Sequence, residues 1–101
     1  MSMFENIFFA TMRGTIEDVR YFVEKKGVDV NAKDNIGLTP LHLVGFNMGG
    51  AEIAKFLISK QANVDAKEQR GGTPLHLAAN KGNVEVAKVL VSAGANVNLR
   101  R

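Results

Sequence analysis

Thr39-Pro40-Leu41-His42-Leu43 returns as Thr73-Pro74-Leu75-His76-Leu77 at an offset of 34. A second pattern keeps the same step. Asp29-Val30-Asn31-Ala32-Lys33 recurs 34 residues on as Asn63-Val64-Asp65-Ala66-Lys67, and this recurs after 33 more as Asn96-Val97-Asn98-Leu99-Arg100. Two motifs in register at a period of 33–34 define an internal repeat, which fixes architecture before any local propensity is weighed. Working outward, Gly14 aligns with Gly82, and Glu5-Asn6-Ile7-Phe8-Phe9-Ala10 then stands where Thr73-Pro74-Leu75-His76-Leu77-Ala78 stands. Three units tile a single domain over 1–101, at about 1–33, 34–67 and 68–101, the first of them degenerate.

Each unit reads as helix, turn, helix and projecting loop. Thr73 suits a helix N-cap, worth about 1 kcal/mol, and Pro74 suits the first helical position. Leu75, Leu77 and Ala78 give that helix a buried face, and Gly82 suits a left-handed C-cap. In the second helix Val84, Ala87, Leu90 and Val91 form one apolar stripe of helical period, expected to face the core, with Val86 and Val89 on the adjoining face. Lys88 and Ser92 are expected towards water. Asp34-Asn35-Ile36-Gly37 has the residues of a β-hairpin-like tip, and Asn96 and Asn98 suit turns that cap their own backbone. Two extra residues interrupt the period, one in Phe46-Asn47-Met48-Gly49-Gly50 and one in Lys25-Lys26-Gly27.

One such unit cannot bury both of its helices, and about three are needed for a stable stack. Polar Glu5, Asn6, Arg13, Glu17 and Arg20 suit the first unit to an outer cap. The last unit has no equivalent, so Val84, Val86, Val89 and Leu90 are expected to leave apolar surface at that end.

These residues resemble the ankyrin-repeat family: the two Thr-Pro-Leu-His-Leu strings, the run from Gly82 to Asn98, and the junction Gly27-Val28-Asp29-Val30-Asn31-Ala32-Lys33-Asp34. The resemblance covers essentially the whole chain. It implies an all-α solenoid of stacked helix-turn-helix units, with each histidine tying the first helix to its loop through the threonine three residues earlier. It also implies that a partner protein binds the concave side, made by loop tips and the exposed sides of the first helices. Carried over, that side comprises Met12 and Arg13 in unit one, and Lys33, Asn35, Ile36, Leu38, Phe46 and Asn47 in unit two. Unit three supplies Lys67, Gln69, Arg70, Gly72, Asn80 and Lys81, and Met48 in the insertion extends the patch. Apolar Ile36, Leu38 and Phe46 flanked by cations suggest a partner segment with an apolar anchor and acidic flanks.

Other chemistry finds little support. His42 and His76 lack a cysteine or carboxylate at ligand spacing, and Gly49-Gly50 and Gly71-Gly72 lack the sequence of a phosphate-binding loop. Glu17 and Asp18 are helix neighbours that point apart, and Ser2, Ser59 and Ser92 have no acid–histidine pattern. No catalytic residue, metal or cofactor is expected. The net charge of +3 is spread out apart from Lys25-Lys26 and Arg100-Arg101, too thin a stripe for nucleic acid. No run approaches the twenty apolar residues of a membrane span, and Met1-Ser2-Met3-Phe4-Glu5-Asn6 makes a poor export signal, so an intracellular protein is expected. The leading expectation is a protein-interaction scaffold; the alternatives are the N-terminal part of a longer repeat protein and a self-associating, homodimeric module.

Overall fold

The computed structural model describes residues 5–98; Ser2, Leu99 and the Arg100-Arg101 doublet lie outside them. The described chain forms six α-helices: α1 (Ile7–Arg13), α2 (Ile16–Arg20), α3 (Pro40–Leu43), α4 (Gly50–Ser59), α5 (Pro74–Asn80) and α6 (Val84–Ser92). They make three pairs. The first helices α1, α3 and α5 pack in one row, and α2, α4 and α6 in a second. Among the described residues there is no strand, so the fold is the all-α repeat stack the period predicts.

The core runs through all three pairs without a break. Ile7, Ala10 and Val19 meet Leu41, Val44, Ile53 and Leu57, which in turn meet Leu75, Ala78, Val86 and Leu90. Each fully buried Leu or Ile contributes about 1.5–3 kcal/mol, so the middle pair, covered on both sides, gains most. Unit one keeps this register despite its divergence: Ile7 and Ala10 are buried as Leu75 and Ala78 are. Its cap is Asn6, whose side chain accepts from the Phe9 N–H.

Both Thr-Pro steps begin helices in the same way. The backbone N–H of Thr39 donates to His42 Nδ1 at 3.0 Å, and that of Thr73 donates to His76 Nδ1 at 3.0 Å. A backbone N–H can only donate, so each Nδ1 is unprotonated and the neutral ring carries its proton on Nε2. His42 Nε2 then donates to the Gly72 carbonyl at 2.9 Å, stitching the second unit to the third inside the core. Burial, partly offset by this carbonyl and by Glu68, lowers the His42 pKa below the ordinary 6.5.

The loop tips repeat as closely. Asp34 Oδ1 accepts from the N–H groups of Ile36 and Leu38, and Glu68 Oε1 from those of Arg70 and Gly72. Their backbones close as hairpin-like turns, Asp34 N–H to the Leu38 carbonyl and Glu68 N–H to that of Gly72, and Gln69 N–H crosses to the Ile36 carbonyl.

Three features depart from expectation. The core face of α6 is Val86 and Leu90; Val84 and Val91, expected beside Leu90, are 59% and 48% exposed. A helix apolar on two sides carries two stripes of the same period, and contact with α4 selects Val86 and Leu90. For the same reason the apolar surface at the end of the stack is Val84 and Val91, and not Val86 and Leu90, which are fully covered. The extra residue of unit one is absorbed as a π-turn over Tyr21–Lys25, where Lys26 N–H reaches the Tyr21 carbonyl; one added residue widens one helical turn and leaves the rest in register. The insertion of unit two converts the end of α3 into a 3₁₀ turn, Val44–Phe46. Gly50 then sits so close beneath the Val44 carbonyl and Val86 that no Cβ fits.

Gln61 occupies the place of Gly27 and Gly94, and like them has a positive φ, 76° against 68° and 93°. A side chain there costs about 1 kcal/mol. Gln61→Gly is expected to stabilise the chain by about 0.5–1 kcal/mol, seen as a Tm increase of a few degrees; an unchanged or lower Tm contradicts this. His42 gives a second expectation. The fold holds the neutral ring, so at low pH the unfolded chain binds the extra proton and stability is lost. The urea midpoint should hold above pH 6.5 and fall as pH drops below it, whereas in His42→Gln that part of the slope should disappear.

Candidate functional site

The candidate residues divide into two rows, set by the two places where each unit shows backbone to solvent. Lys33, Asn35, Ile36, Lys67, Gln69 and Arg70 are exposed at the loop tips. The tips are held at a fixed spacing: besides the Gln69–Ile36 backbone bond, Gln69 Nε2 donates to the Asn35 carbonyl at 3.3 Å. Ile36 is 45% exposed, while Leu38 is half-buried. Met12, Arg13, Phe46, Asn47, Asn80 and Lys81 lie at the C-terminal ends of the first helices and just beyond. Gly72 is buried, its carbonyl taken by His42.

Electrostatics separate the charges of this surface sharply. The carboxylates of Asp34 and Glu68 are turned into their own loops, each accepting two backbone N–H groups. The cations have no such partners: Arg13, Lys33, Lys67 and Arg70 make no ion pair among the described residues. The two acids keep their charge but are held within their loops, so the four cations point outward free of direct carboxylate contact.

Its apolar centre is Phe46, 39% exposed at the end of the 3₁₀ turn. Lys81 lies over the ring with Nζ 4.6 Å from the centroid, a cation–π contact worth about 0.5–1 kcal/mol at an exposed site. Phe46 and Lys81 belong to successive units and line one groove with Met48, which is wholly exposed.

Asn47 has a different role. Its Nδ2 donates to the carbonyls of Thr11 at 2.9 Å and Gly14 at 2.8 Å, and Oδ1 accepts from Gly49 N–H. Asn83 repeats this one unit later, donating to the carbonyls of Gly45 and Asn47. A matching ladder runs along the loops, where Asn31 Oδ1 accepts from Asn63 N–H and Asp65 Oδ1 from Asn96 N–H. The loop ladder is signalled in the sequence, since Asn31 and Asp65 are 34 residues apart, whereas Asn47 and Asn83 stand 36 apart and fall outside the 33–34 period. Among the described residues no cluster of three His, Asp or Glu side chains could hold a metal, and no helix is long and apolar enough to cross a membrane.

The family profile described as "Ankyrin repeats (3 copies)" matches residues 7–101. Among solved structures, a chain of the complex of the Bd0816 predatory endopeptidase from Bdellovibrio bacteriovorus with the immunity protein Bd3460 is similar. It shares 37% identity and a TM-score of 0.83 over 96% of this sequence. This sequence spans 50% of that chain. No curated protein sequence matches.

Asn47 and Asn35 should respond oppositely to truncation. Asn47→Ala leaves two carbonyls without their donor and is expected to cost about 1–2 kcal/mol in urea unfolding. Asn35→Ala, at an exposed tip, should change stability by less than about 0.5 kcal/mol.

Proposed function

The chain belongs to the ankyrin-repeat family, a protein–protein interaction fold, and from that premise we propose that it binds a partner protein across the concave side made by its loop tips and first helices. One observation carries the reading. An exposed aromatic ring, Phe46, lies beneath Lys81 in the row of helix ends, and the loop-tip row beside it presents Lys33, Lys67 and Arg70 with no ion pair among the described residues. An aromatic anchor with a charged rim is the arrangement that concentrates binding energy in protein interfaces. The complementary segment carries an apolar side chain to meet Phe46 and Ile36, and carboxylates to meet Lys33, Lys67, Arg70 and Lys81. The 37% identical neighbour comes from a complex of an immunity protein with an endopeptidase, which supports a folded protein as partner rather than nucleic acid. The rigid spacing of the tips favours recognition without ordering costs.

A second reading, self-association, is favoured by a separate observation: Val84, Val91 and Val97 are all exposed at the end of the third pair.

The test is affinity capture followed by mass spectrometry, then titration of the captured protein. Phe46→Ala should weaken binding about tenfold or more. Lys67→Glu/Arg70→Glu should chiefly slow association and reduce its salt dependence. Full affinity in both variants would overturn the reading.

A further inference from the structure

The tips of units two and three are the same turn carrying different side chains. Asp34-Asn35-Ile36-Gly37 and Glu68-Gln69-Arg70-Gly71 stand 34 residues apart. In each, the leading carboxylate accepts from the N–H groups two and four residues on. Each glycine takes a positive φ, 87° at Gly37 and 82° at Gly71. Ile36 and Arg70 therefore hold one position in successive units, and both are exposed. Lys33 repeats as Lys67, and Asn35 as the longer amide Gln69. Among the exposed side chains of the two tips, only the Ile36/Arg70 position changes chemistry, from aliphatic to cationic.

The distance between those two side chains is set by backbone. Gln69 N–H donates to the Ile36 carbonyl at 3.0 Å, and a Cβ on Gly37 would stand 3.3 Å from the backbone of Glu68 and Gln69. Tips in such contact, each two chain widths across, repeat at about 9–10 Å. The helices packed beneath them have a similar separation, roughly 8–10 Å.

We propose that these two positions read an extended partner segment in polyproline II conformation, an apolar residue meeting Ile36 and a carboxylate three residues away meeting Arg70. This rests on the reading that a partner protein lies across the tips, and gives that partner a register. A polyproline II chain has three residues per turn, so every third side chain returns to one face after about 9.3 Å. A β-strand does not fit, because its same-face side chains recur after about 6.7 and 13.4 Å. An α-helix matches only at seven residues, about 10.5 Å, and needs an apolar stripe to hold it. The tips offer one exposed aliphatic side chain.

The charge that selects the carboxylate is local. Lys33 and Lys67 share a hollow with Asp65, which offsets them. Arg70 lies outside that hollow and makes no ion pair among the described residues. Its planar fork binds a carboxylate through two parallel bonds. Asp34 and Glu68 keep their charge nearby, so recognition works at contact range through that fork and not through a broad positive field.

The test is an NMR titration of the whole ¹⁵N-labelled chain with proline-host peptides of about twelve residues, long enough to span both tips. Each peptide carries one leucine and one glutamate, and is taken to roughly 5 mM. The amides of Ile36 and Arg70 should shift. Leu-Pro-Pro-Glu, in one of its two orders, should bind about threefold or more tighter than Leu-Pro-Glu and Leu-Pro-Pro-Pro-Glu. Arg70→Glu should reverse the choice, favouring Leu-Pro-Pro-Lys over Leu-Pro-Pro-Glu, which a folding defect cannot do. Ile36→Ser should weaken both. Equal binding at every spacing, no shift at either tip, or shifts confined to the Phe46 groove would overturn this register. So would tighter binding by a helical peptide with its leucine and glutamate seven residues apart. None of these results touches the broader reading of a protein partner, which fails separately, when the captured protein binds Phe46→Ala and Lys67→Glu/Arg70→Glu at full affinity.

Discussion

No helix pair in this chain can shield its own apolar side, and each depends on the next for cover. α3 is only four residues long and α2 five, lengths at which an isolated helix has almost no population in water. They persist because Leu41, Val44 and Val19 are completely enclosed by neighbouring units. Backbone groups at so many helix ends must also be satisfied. Among the described residues no buried side-chain nitrogen or oxygen lacks a partner, and many of those partners lie one unit away. The polar ladders of His42, Asn47, Asn83 and Asn31 thus set the spacing of units whose cohesion is supplied by apolar contact.

The fold was legible because its strongest signals are backbone requirements. Thr-Pro at a helix start and glycine after a helix end admit few alternatives, and both recur in register. The direction of α6 was not legible to the same degree. Val84, Ala87 and Val91 satisfy helical period as well as Val86 and Leu90 do, and only the position of α4 distinguishes them. The π-turn was visible as one surplus residue but not as a widened turn, because Tyr21–Lys25 contains no residue that forbids an ordinary helix. Gln61 was masked by its type; its register between Gly27 and Gly94 carried the information.

The candidate site was legible in membership more than in state. Repeat register places Phe46 and Ile36 at exposed positions, where the structure has them. The repeat gives Asp34 and Glu68 the same loop position. There a carboxylate is drawn into its own turn by two N–H groups. Similarly Asn47 shares the exposed helix end with Phe46, and only its bonds to Thr11 and Gly14 show that it holds units together.

The same logic explains why the two insertions fall where they do. A residue added at a loop tip would break the Gln69–Ile36 link and shift one tip against the next. A residue added in the core face of a helix would rotate every later side chain by about 100°. The π-turn avoids the second outcome by absorbing the residue in one turn, and Phe22 within it stays buried. The 3₁₀ turn before α4 avoids both, and it leaves Phe46 and Met48 at the surface while Val44 and Gly45 remain enclosed. Variation is thus confined to the ends of helices, away from the stitched tips. That is how a stack this short acquires an exposed aromatic ring without losing register.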